Sequence, residues 1–437
     1  MTTTFPPATG PTASTAPSTL TAQIPGSKSL TNRALLLAAA APGTSRVWAP
    51  LVSDDTLAFR DALTRLGVRV RATPDDEYWE ITGTGRPLGD ARIWCADAGT
   101  AARFLPPYAA TGEGEFVFDG SAQLRARPLR PLADALTRLG ARVRSDGPGS
   151  LPLTVSATGL DGGSIALDAS TSSQYVTGLL IAAPLLRSPL TLVARDLVSR
   201  PYVDMTLALM RRFGATVEES ADGSLTVGPG GYRPTDLVIE PDASTATYVF
   251  AAAAATGRSV RVPGLGKASL QGDLRFTDAL RRLGAHVEVA CDATTVTGTG
   301  RLRGGVSLDM GEISDTFMTL AAIAPLADGP VTIRGVAHAR LKESDRVAAM
   351  ARNLAACGIR VEEGPDRLTV HPGPPRRTTI ACHRDHRIAM AFSVLGLAAP
   401  DTISLDDPGC VSKTFPGFHA EFGRLFPEYE LPLCVRE

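Results

Sequence analysis

Lysine is rare in this 437-residue chain. Lysine and arginine together number 44, yet only four of them are lysines, and only Asn32 and Asn353 are asparagines. This bias suggests a coding sequence in which arginine replaced interchangeable lysines. The surviving lysines are therefore candidates for positions where a compact ammonium group is needed and a planar guanidinium will not serve. They are Lys28, Lys267, Lys342 and Lys413.

Net charge and aromatic content are also low. The formal net charge is −1 and aromatic residues make up 5% of the chain. A general nucleic-acid binder carries a basic excess and aromatic side chains for stacking, so the composition argues against that class. Hydrophobic and charged contents of 44% and 20% are those of an ordinary globular protein. The length predicts two or three domains.

Long apolar runs and paired cysteines are missing. The longest apolar runs, such as residues 34–42, are far too short to span a bilayer. The six cysteines include no C-x-x-C pair, so we expect reduced thiols in a cytoplasmic protein rather than a disulfide framework or a zinc site. Residues 1–20 are rich in Thr, Pro, Ala and Ser and have no basic residue, which predicts a disordered tail rather than a signal peptide.

One pattern recurs along the chain: a helix-like segment, a glycine, then a short alternating strand. The glycines are Gly67, Gly140, Gly214, Gly284 and Gly358, spaced 70 to 74 residues apart. Each suits the position after a helix, where a positive φ ends the helix before the strand. A weaker copy falls at residues 418–425. Six units of about this length account for the whole chain, and we expect them to form two domains of three α/β units each.

Proline and glycine mark two candidate hinges, near residues 24–27 and 239–244. If both are hinges, one domain is residues 27–243, and the other combines residues 21–26 with 244–437. A cleft between two hinged domains is where a small-molecule site is expected.

Residues 26–41 combine a hydroxyl-rich helix start with two bases. The sequence Gly-Ser-Lys28-Ser precedes a strongly helical, apolar run that contains Arg33. Backbone N–H groups at a helix start bind anions, and Lys28 and Arg33 add positive charge. An anion site is favoured over a capped helix with solvated bases, because an apolar helix rarely needs Ser-Lys-Ser for capping alone.

Further candidate anion-binding segments follow in the amino-terminal half of the chain. Asp97 and Gly99 predict another helix start, which is either a ligand site where the glycine lets a ligand approach the backbone or a plain N-cap. Arg127 precedes Pro128 in an arginine-rich turn, where it either presents its side chain to a ligand or is merely solvated. The hydroxyl-rich helix starts at residues 170–175 and 199–202 suit phosphate oxygens.

The carboxyl-terminal half adds carboxylates and more bases. Asp315 precedes an apolar helix and is either an N-cap or a general base. Lys342, Glu343 and Arg346 have helical spacing, which is also common on amphipathic surface helices.

A second basic segment in this half begins another apolar helix. His386 and Arg387 lie at its start. His383 and His386 lack a matching set of carboxylates or cysteines, so no metal site is expected. Taken with the earlier segments, the bases predict a locally positive cleft for a small substrate that carries phosphate and carboxylate groups.

These motifs, in this order, resemble those of the enolpyruvyl transferases, and within that family the branch that acts on 3-phosphoshikimate. The resemblance runs from about residue 23 to residue 418. The motifs are PGSKSLTNRALLLAA, DAGTAARF, RARP, SSQY, SRPY, DASTATY, LQGDLRF, LKESDR, DHRIAM and SKTFP. The resemblance implies a two-domain inverse α/β barrel, each domain having three repeated α/β units around a pseudo-threefold axis.

The implied activity is transfer of the enolpyruvyl group of phosphoenolpyruvate to the 5-hydroxyl of 3-phosphoshikimate. Phosphate leaves through a tetrahedral intermediate, as a step of the shikimate pathway. The resemblance implies no metal or organic cofactor, and no nucleic-acid or membrane partner. We expect a monomer.

The resemblance also implies roles for individual residues. Asp315 would take the proton from the 5-hydroxyl, Glu343 and Lys28 would carry the proton at the enol carbon, and His386 is a further catalytic candidate. Those implied to bind 3-phosphoshikimate are Lys28, Ser29, Arg33, Ser172, Ser173, Gln174, Ser199, Asp315, His338 and Lys342. Those implied to bind phosphoenolpyruvate are Lys28, Gly99, Arg127, Gln174, Arg346, Arg387 and Lys413.

Three positions depart from the pattern of the family. Asp97 stands where many relatives have asparagine, and its carboxylate would weaken phosphoenolpyruvate binding unless it pairs with Arg103 or another base. Phe104 stands where others often have proline. His338 replaces an asparagine that contacts the substrate in some relatives, which puts that contact in doubt.

Two alternatives stay open. The branch that acts on UDP-N-acetylglucosamine carries a cysteine five residues before the arginine of the Arg-Pro pair, where this chain has Ala122. A non-catalytic anion-binding protein would bind the phosphates without turnover, although Lys28, Asp315, Glu343 and Lys413 are intact. Two hypotheses follow from the catalytic interpretation: glyphosate competes with phosphoenolpyruvate beside Gly99, and the domains close about the hinges when 3-phosphoshikimate binds.

Overall fold

The computed structural model describes residues 18–147 and 149–430. Helices and strands are interspersed along these ranges. The helices are α1 (Lys28–Ala40), α2 (Asp54–Arg65), α3 (Gly99–Ala110), α4 (Ala122–Arg125), α5 (Arg130–Arg138), α6 (Gln174–Ala182), α7 (Arg200–Arg212), α8 (Ala243–Thr256), α9 (Phe276–Arg282), α10 (Phe317–Ile323), α11 (Arg346–Ala356), α12 (His386–Ala398) and α13 (Phe418–Leu425).

The strands of the amino-terminal half are β1 (Thr19–Thr21), β2 (Gly43–Trp48), β3 (Arg69–Ala72), β4 (Tyr78–Gly83), β5 (Ala91–Trp94), β6 (Glu113–Asp119), β7 (Arg142–Ser145), β8 (Leu153–Thr158), β9 (Gly163–Asp168), β10 (Leu190–Arg195), β11 (Val217–Glu219), β12 (Leu225–Val227) and β13 (Leu237–Val238). The remaining strands are β14 (Ser259–Pro263), β15 (His286–Val289), β16 (Ala293–Thr297), β17 (Val306–Asp309), β18 (Val331–Arg334), β19 (Val361–Glu363), β20 (Arg367–Val370), β21 (Thr378–Ile380) and β22 (Ile403–Leu405).

The four-stranded sheets share one pairing pattern, in which a parallel pair is followed by two antiparallel strands. Their strand orders are β13-β2-β4-β3, β5-β6-β8-β7, β9-β10-β12-β11, β1-β14-β16-β15 and β17-β18-β20-β19, and β21 pairs with β22 in a parallel two-stranded sheet. The alternating burial along these strands, as in β4, shows that one face of each sheet packs on the core.

The buried apolar residues form two separate clusters. The first, the amino-terminal core, draws its members from residues 30–239 and surrounds α1, α3 and α6. The second, the carboxyl-terminal core, draws on Ala22 and residues 243–426 and surrounds α8, α10 and α12. These six helices are apolar on nearly every side, and such a helix is stable only when it is enclosed by other elements.

The recurring glycines end helices as predicted. Gly67, Gly140, Gly214, Gly284 and Gly358 have φ values of 88°, 103°, 89°, 98° and 79°. They follow α2, α5, α7, α9 and α11, and a left-handed conformation at this position is favourable for glycine because it has no Cβ. The weaker copy at residues 418–425 coincides with α13.

The amino-terminal segment is more ordered than expected at its end. Residues 1–17 of the expected disordered tail lie outside the described residues. Thr19 and Leu20, however, belong to β1, which pairs with β14 in parallel. The prediction of a disordered tail is therefore wrong for these two residues. Backbone hydrogen bonds to β14 hold this strand against the carboxyl-terminal core.

The chain passes between the two cores at the two segments that the sequence marks as hinges. These segments lie side by side: the Ser27 amide donates to the Glu240 carbonyl at 2.8 Å, and the Asp242 amide donates to the Pro25 carbonyl at 2.8 Å. Gly26 and Pro241 form an isolated antiparallel bridge between the same segments.

Candidate functional site

A polar cleft lies between the two cores. It is lined by Lys28, Ser29, Arg33, Asp55, Gly99, Thr100, Arg127, Ser173, Gln174, Ser199, Tyr202, Asp315, Lys342, Glu343 and Arg346. Twelve of these are residues that the sequence predicted for the site. The cleft thus brings together motifs that lie more than 300 residues apart in the chain.

The remaining predicted residues lie behind this lining. Ser172 accepts a hydrogen bond from the Gln174 amide at 3.2 Å, and Arg387 and Lys413 contact the cleft carboxylates described below. Of the four lysines, Lys267 is exposed and lines a separate surface groove, so it is not part of the cleft.

Three helices begin at the cleft. They are α1, α3 and α6, whose first residues are Lys28, Gly99 and Gln174. Neither α3 nor α6 has a side-chain cap. Unpaired N–H groups at these starts, together with the positive end of each helix dipole, make this part of the cleft favourable for anions.

Arg33 is a buried cation at the wall of the cleft. Its guanidinium donates to Thr206 Oγ1 at 2.8 Å, to the Ser29 carbonyl at 3.0 Å and to the Tyr202 carbonyl at 3.1 Å. The Phe104 ring centroid lies 5.2 Å from Cζ, a cation–π distance. Burial lowers the pKa of Arg33 to about 10, so it stays charged at neutral pH. No carboxylate of the described residues pairs with it, which leaves its charge available to a ligand.

Asp55 joins two of the cleft lysines. Its carboxylate lies 3.2 Å from Lys28 Nζ and 3.3 Å from Lys413 Nζ, and its side chain is only 5% exposed. The Lys413 ammonium also donates to the Asp97 carbonyl at 2.7 Å. The sequence analysis missed Asp55, because nothing near the start of α2 distinguishes it from an ordinary acidic first turn.

Asp315 is surrounded by cations. It lies 2.9 Å from Arg387, 3.1 Å from Arg346 and 3.9 Å from Lys342. Burial by itself would raise the pKa of Asp315, but the charges of these three side chains hold that pKa far below its usual value. Asp315 is therefore ionised in the free protein. It is not the N-cap of α10, because Thr316 occupies that position.

Glu343 is the second cleft carboxylate. It lies 2.8 Å from Arg346 and 3.8 Å from Arg127. Burial opposes ionisation, but the charges of Arg346 and Arg127 hold the pKa of Glu343 well below its usual range. Burial lowers the pKa of Lys342, in spite of the opposite charge of Asp315.

The expected helical spacing of Lys342, Glu343 and Arg346 is wrong. The helix α11 begins only at Arg346, because Asp345 caps it by accepting from the Ala348 amide at 3.0 Å. Lys342 and Glu343 therefore lie in the turn before the helix, from which both reach the cleft.

Arg346 is fixed by a buried carboxylate that the sequence analysis did not single out. Its Nε lies 2.8 Å from Asp385, and the two side chains are 1% and 0% exposed. Asp385 also caps α12 by accepting from the Arg387 amide at 3.1 Å. Asp385 belongs to the DHRIAM motif, so its position in the motif was the only sequence signal for it.

His338 contacts protein hydroxyls beside the cleft. Its Nε2 lies 2.7 Å from Ser314 Oγ and 3.3 Å from Ser199 Oγ. Burial, followed by the charge of Lys342, lowers the pKa of His338 to about 4, so the ring is neutral at pH 7. Ser199 has a left-handed φ of 53°, an uncommon conformation for serine, and it lines the cleft.

His386 is buried rather than presented to the cleft. Its side chain is 0% exposed, and neither ring nitrogen has a hydrogen-bond partner among the described residues. Burial, and then the charges of Lys28 and Arg387, hold the pKa of His386 well below its usual value. The ring is therefore neutral, and the structure does not bring it to the cleft lining.

Comparison with known proteins places this arrangement in a family. A family model described as EPSP synthase (3-phosphoshikimate 1-carboxyvinyltransferase) matches residues 15–422. This chain belongs to the EPSP synthase family. It is similar to the 3-phosphoshikimate 1-carboxyvinyltransferase of Nostoc punctiforme, with 41% identity over 93% of this chain and 96% of the relative. The enzyme of that name from Vibrio vulnificus is also 41% identical, over 92% of this chain and 95% of the relative.

Solved structures agree with the EPSP synthase family. The EPSP synthase from Acinetobacter baumannii superimposes with a TM-score of 0.76 at 25% identity, over 94% of this chain and 96% of that one. The enolpyruvyl transferase NikO from Streptomyces tendae gives a TM-score of 0.76 at 22% identity, over 93% of this chain and 94% of that one, which shows a shared fold. The resemblance and the mixed α/β class inferred from the sequence are confirmed.

Asp97 stands where many relatives have asparagine. Its carboxylate pairs with a base other than Arg103. Its carboxylate accepts from Arg384 at 2.9 Å and from the Ser121 hydroxyl. Arg103 instead donates to the Gly99 carbonyl at 3.0 Å. The negative charge of Asp97 is therefore paired at the rim of the cleft.

Gly99 of this EPSP synthase family member faces the Arg127 guanidinium. A methyl group at Gly99 would overlap Arg127, so that side chain would have to move. Within residues 18–147 and 149–430, no group of three or more His, Cys, Asp or Glu side chains is arranged to hold a metal ion. No helix in these ranges is both long enough and apolar enough to cross a membrane.

Proposed function

We propose that this chain transfers the enolpyruvyl group of phosphoenolpyruvate to the 5-hydroxyl of 3-phosphoshikimate and releases phosphate, a step of aromatic amino-acid biosynthesis. The observation that carries the proposal is a cleft in which two ionised carboxylates, Asp315 and Glu343, stand among cations that both cores contribute. Both substrates are anions, so a cluster of this kind can hold them together against their mutual repulsion.

Asp315 is the proposed base for the 5-hydroxyl. A general base must be unprotonated at the working pH, and the cations around Asp315 ensure this. Lys342 and Arg346, which contact the same carboxylate, are proposed to bind 3-phosphoshikimate and phosphoenolpyruvate respectively. Attack by the hydroxyl oxygen on the carbon that bears the phosphate gives the tetrahedral intermediate.

Glu343 and Lys28 are the proposed proton carriers at the methylene carbon. In the free protein the charges of Arg346 and Arg127 keep Glu343 ionised. Bound phosphate and carboxylate groups would take up the charge of those two arginines, and the pKa of Glu343 would then rise. A protonated Glu343 can donate its proton to the methylene carbon. Positive character then develops on the adjacent carbon, which bears the phosphate and is attacked by the hydroxyl.

The remaining bases are proposed to hold the anionic groups. Phosphoenolpyruvate would contact Arg127, Arg346, Arg387, Lys413, Gln174 and the amide of Gly99. The phosphate of 3-phosphoshikimate would contact Lys28, Ser29, Ser172 and Ser173, with Arg33, Ser199 and His338 around the ring. Fixed donors that point at the departing phosphate stabilise the charge that develops as the intermediate collapses.

We further propose that the two cores are hinged domains, residues 27–243 and residues 21–26 with 244–437. Each would contain three α/β units around a pseudo-threefold axis, as in an inverse α/β barrel. The recurring sheet pattern and the paired segments at Gly26 and Pro241 support this division. A cytoplasmic monomer is the simplest assembly, and the thiols of the described cysteines are free.

The test is phosphate release from phosphoenolpyruvate, with 3-phosphoshikimate and UDP-N-acetylglucosamine offered separately. We expect release with 3-phosphoshikimate alone. Replacement of Asp315 by asparagine keeps its shape but removes the base, so kcat should fall by about 10²–10⁴-fold. Glu312→Gln, which changes an exposed carboxylate three residues earlier, is the control and should keep kcat. Release with UDP-N-acetylglucosamine, or full activity in Asp315→Asn, would contradict the proposal.

A further inference from the structure

Asp97 receives hydrogen bonds from three separate segments. Its carboxylate accepts from the Ser121 hydroxyl of the amino-terminal half and from Arg384 Nη2 of the carboxyl-terminal half, the latter at 2.9 Å. Its backbone carbonyl accepts from Lys413 Nζ at 2.7 Å. One residue therefore joins the loop before α3 to two segments of the opposite half.

Lys413 depends on this loop for its position. Its ammonium has two acceptors, the Asp97 carbonyl and the Asp55 carboxylate at 3.3 Å, and both belong to the amino-terminal half. A shift of the Asp97 loop would therefore move one of the two groups that place the Lys413 ammonium. The side chain of Lys413 is 8% exposed, so it has little freedom to compensate.

Arg384 approaches Asp97 from a strained turn. His383 and Arg384 have consecutive left-handed φ values of 54° and 55°, which side chains with a Cβ rarely adopt. On one side the turn continues into the buried Asp385. On the other it contacts the opposite half through the Arg384–Asp97 pair and through Gln123, which donates to the His383 carbonyl at 3.4 Å. The unusual backbone thus aims Arg384 across the mouth of the cleft.

We propose that Asp97 and Arg384 form a charged latch between the two halves, and that Asp97 is a positioning residue that sets Lys413 at the phosphoenolpyruvate end of the cleft. The inference rests on the proposed function for its substrate. The latch acts on the closed arrangement and not on the reacting atoms. It should therefore raise KM for phosphoenolpyruvate, the substrate proposed to contact Lys413, more than KM for 3-phosphoshikimate, and leave kcat nearly unchanged.

The expected change in KM for phosphoenolpyruvate is small because the Arg384–Asp97 ion pair is partly exposed to water. The side chains of Arg384 and Asp97 are 66% and 27% exposed, and water weakens an ion pair of this kind. We expect Arg384→Gln and Asp97→Asn each to raise KM for phosphoenolpyruvate about two- to fivefold. Because both substitutions break one contact, the double variant should show no further increase.

The dependence of KM for phosphoenolpyruvate on ionic strength distinguishes an electrostatic latch from a contact that only supports the fold. At about 1 M salt the Debye length falls to about 3 Å, so an exposed pair loses most of its attraction. The wild-type KM for phosphoenolpyruvate should rise more steeply with salt than that of Arg384→Gln. Arg144→Gln, which breaks an exposed ion pair with Glu115 inside the amino-terminal half, is the control and should behave as wild type.

Different results would reject the latch and the proposed function. Additive effects in the double variant, or an unchanged KM in both single variants of an active enzyme, would overturn the latch while leaving the proposed function intact. Absence of turnover in the wild type would instead overturn the proposed function. The latch would then be judged by small-angle scattering in the presence of 3-phosphoshikimate, in which Arg384→Gln should be more extended than Arg144→Gln, and equal curves would reject it.

Discussion

At the scale of single residues, burial determines the charge of His338. The ring lies between two hydroxyls and near Lys342, and its pKa of about 4 is below the ordinary value of 6.5. Since the unfolded chain takes up a proton near pH 6.5 and the folded chain does not, stability is greatest above pH 6.5 and is lost as pH falls towards 4.

Replacement of His338 by asparagine should remove this loss. We expect the wild type to lose about 2 kcal/mol more stability than His338→Asn between pH 7 and pH 5. Urea unfolding at the two pH values measures the difference. His286→Asn changes an exposed histidine and serves as the control. Parallel pH profiles for wild type and His338→Asn would show that His338 is not the buried neutral group described above.

At the scale of elements, the start of α3 determines how closely a ligand can approach. Gly99 is the first residue of this helix, and its Cα faces the guanidinium of Arg127. A methyl group there would displace Arg127 and occupy space beside the free N–H groups of the helix start.

We predict that Gly99→Ala weakens inhibition by glyphosate about tenfold or more. Glyphosate is longer than phosphoenolpyruvate, so we expect it to depend more on the space beside Gly99 and KM for phosphoenolpyruvate to rise by a smaller factor. Inhibition constants and KM values from phosphate-release assays give the comparison. Gly228→Ala adds a methyl group in open space and is the control. An equal loss of inhibition and of turnover would count against this geometry.

At the scale of the whole molecule, the cleft carries more cations than its carboxylates balance. Asp55, Asp315 and Glu343 are shared among Lys28, Arg127, Lys342, Arg346, Arg387 and Lys413. Repulsion among the excess cations favours separation of the two halves, and bound anions relieve it.

Binding of 3-phosphoshikimate should therefore compact the molecule about the hinge segments. We expect the radius of gyration to fall by on the order of 1 Å from the roughly 22 Å expected for a compact chain of this length. Small-angle scattering measures it, with shikimate, which lacks the phosphate, as the control ligand. Identical curves with and without 3-phosphoshikimate would argue against closure.

Several features follow from local sequence because they depend on neighbouring residues alone. The left-handed glycines after α2, α5, α7, α9 and α11 end helices wherever the fold places them. The apolar helices predicted within residues 26–41, after Asp315 and at His386 appear as α1, α10 and α12, and the helix starts predicted at residues 170–175 and 199–202 appear as those of α6 and α7. Short contiguous motifs were also enough to identify the family. Because most residues of the cleft lining belong to these motifs, the sequence predicted them as well.

Other features were decided only by the tertiary structure, because they join residues that are far apart in the chain. Asp55 pairs with Lys413, and Asp97 pairs with Arg384, each across more than 280 residues. The short helix α11 excludes Lys342 and Glu343 because the Asp345 cap satisfies its first amides. The ionisation of Asp315 and Glu343 and the neutrality of His338 likewise depend on burial and on charges from distant segments, since a pKa is set by the surroundings of a group in space.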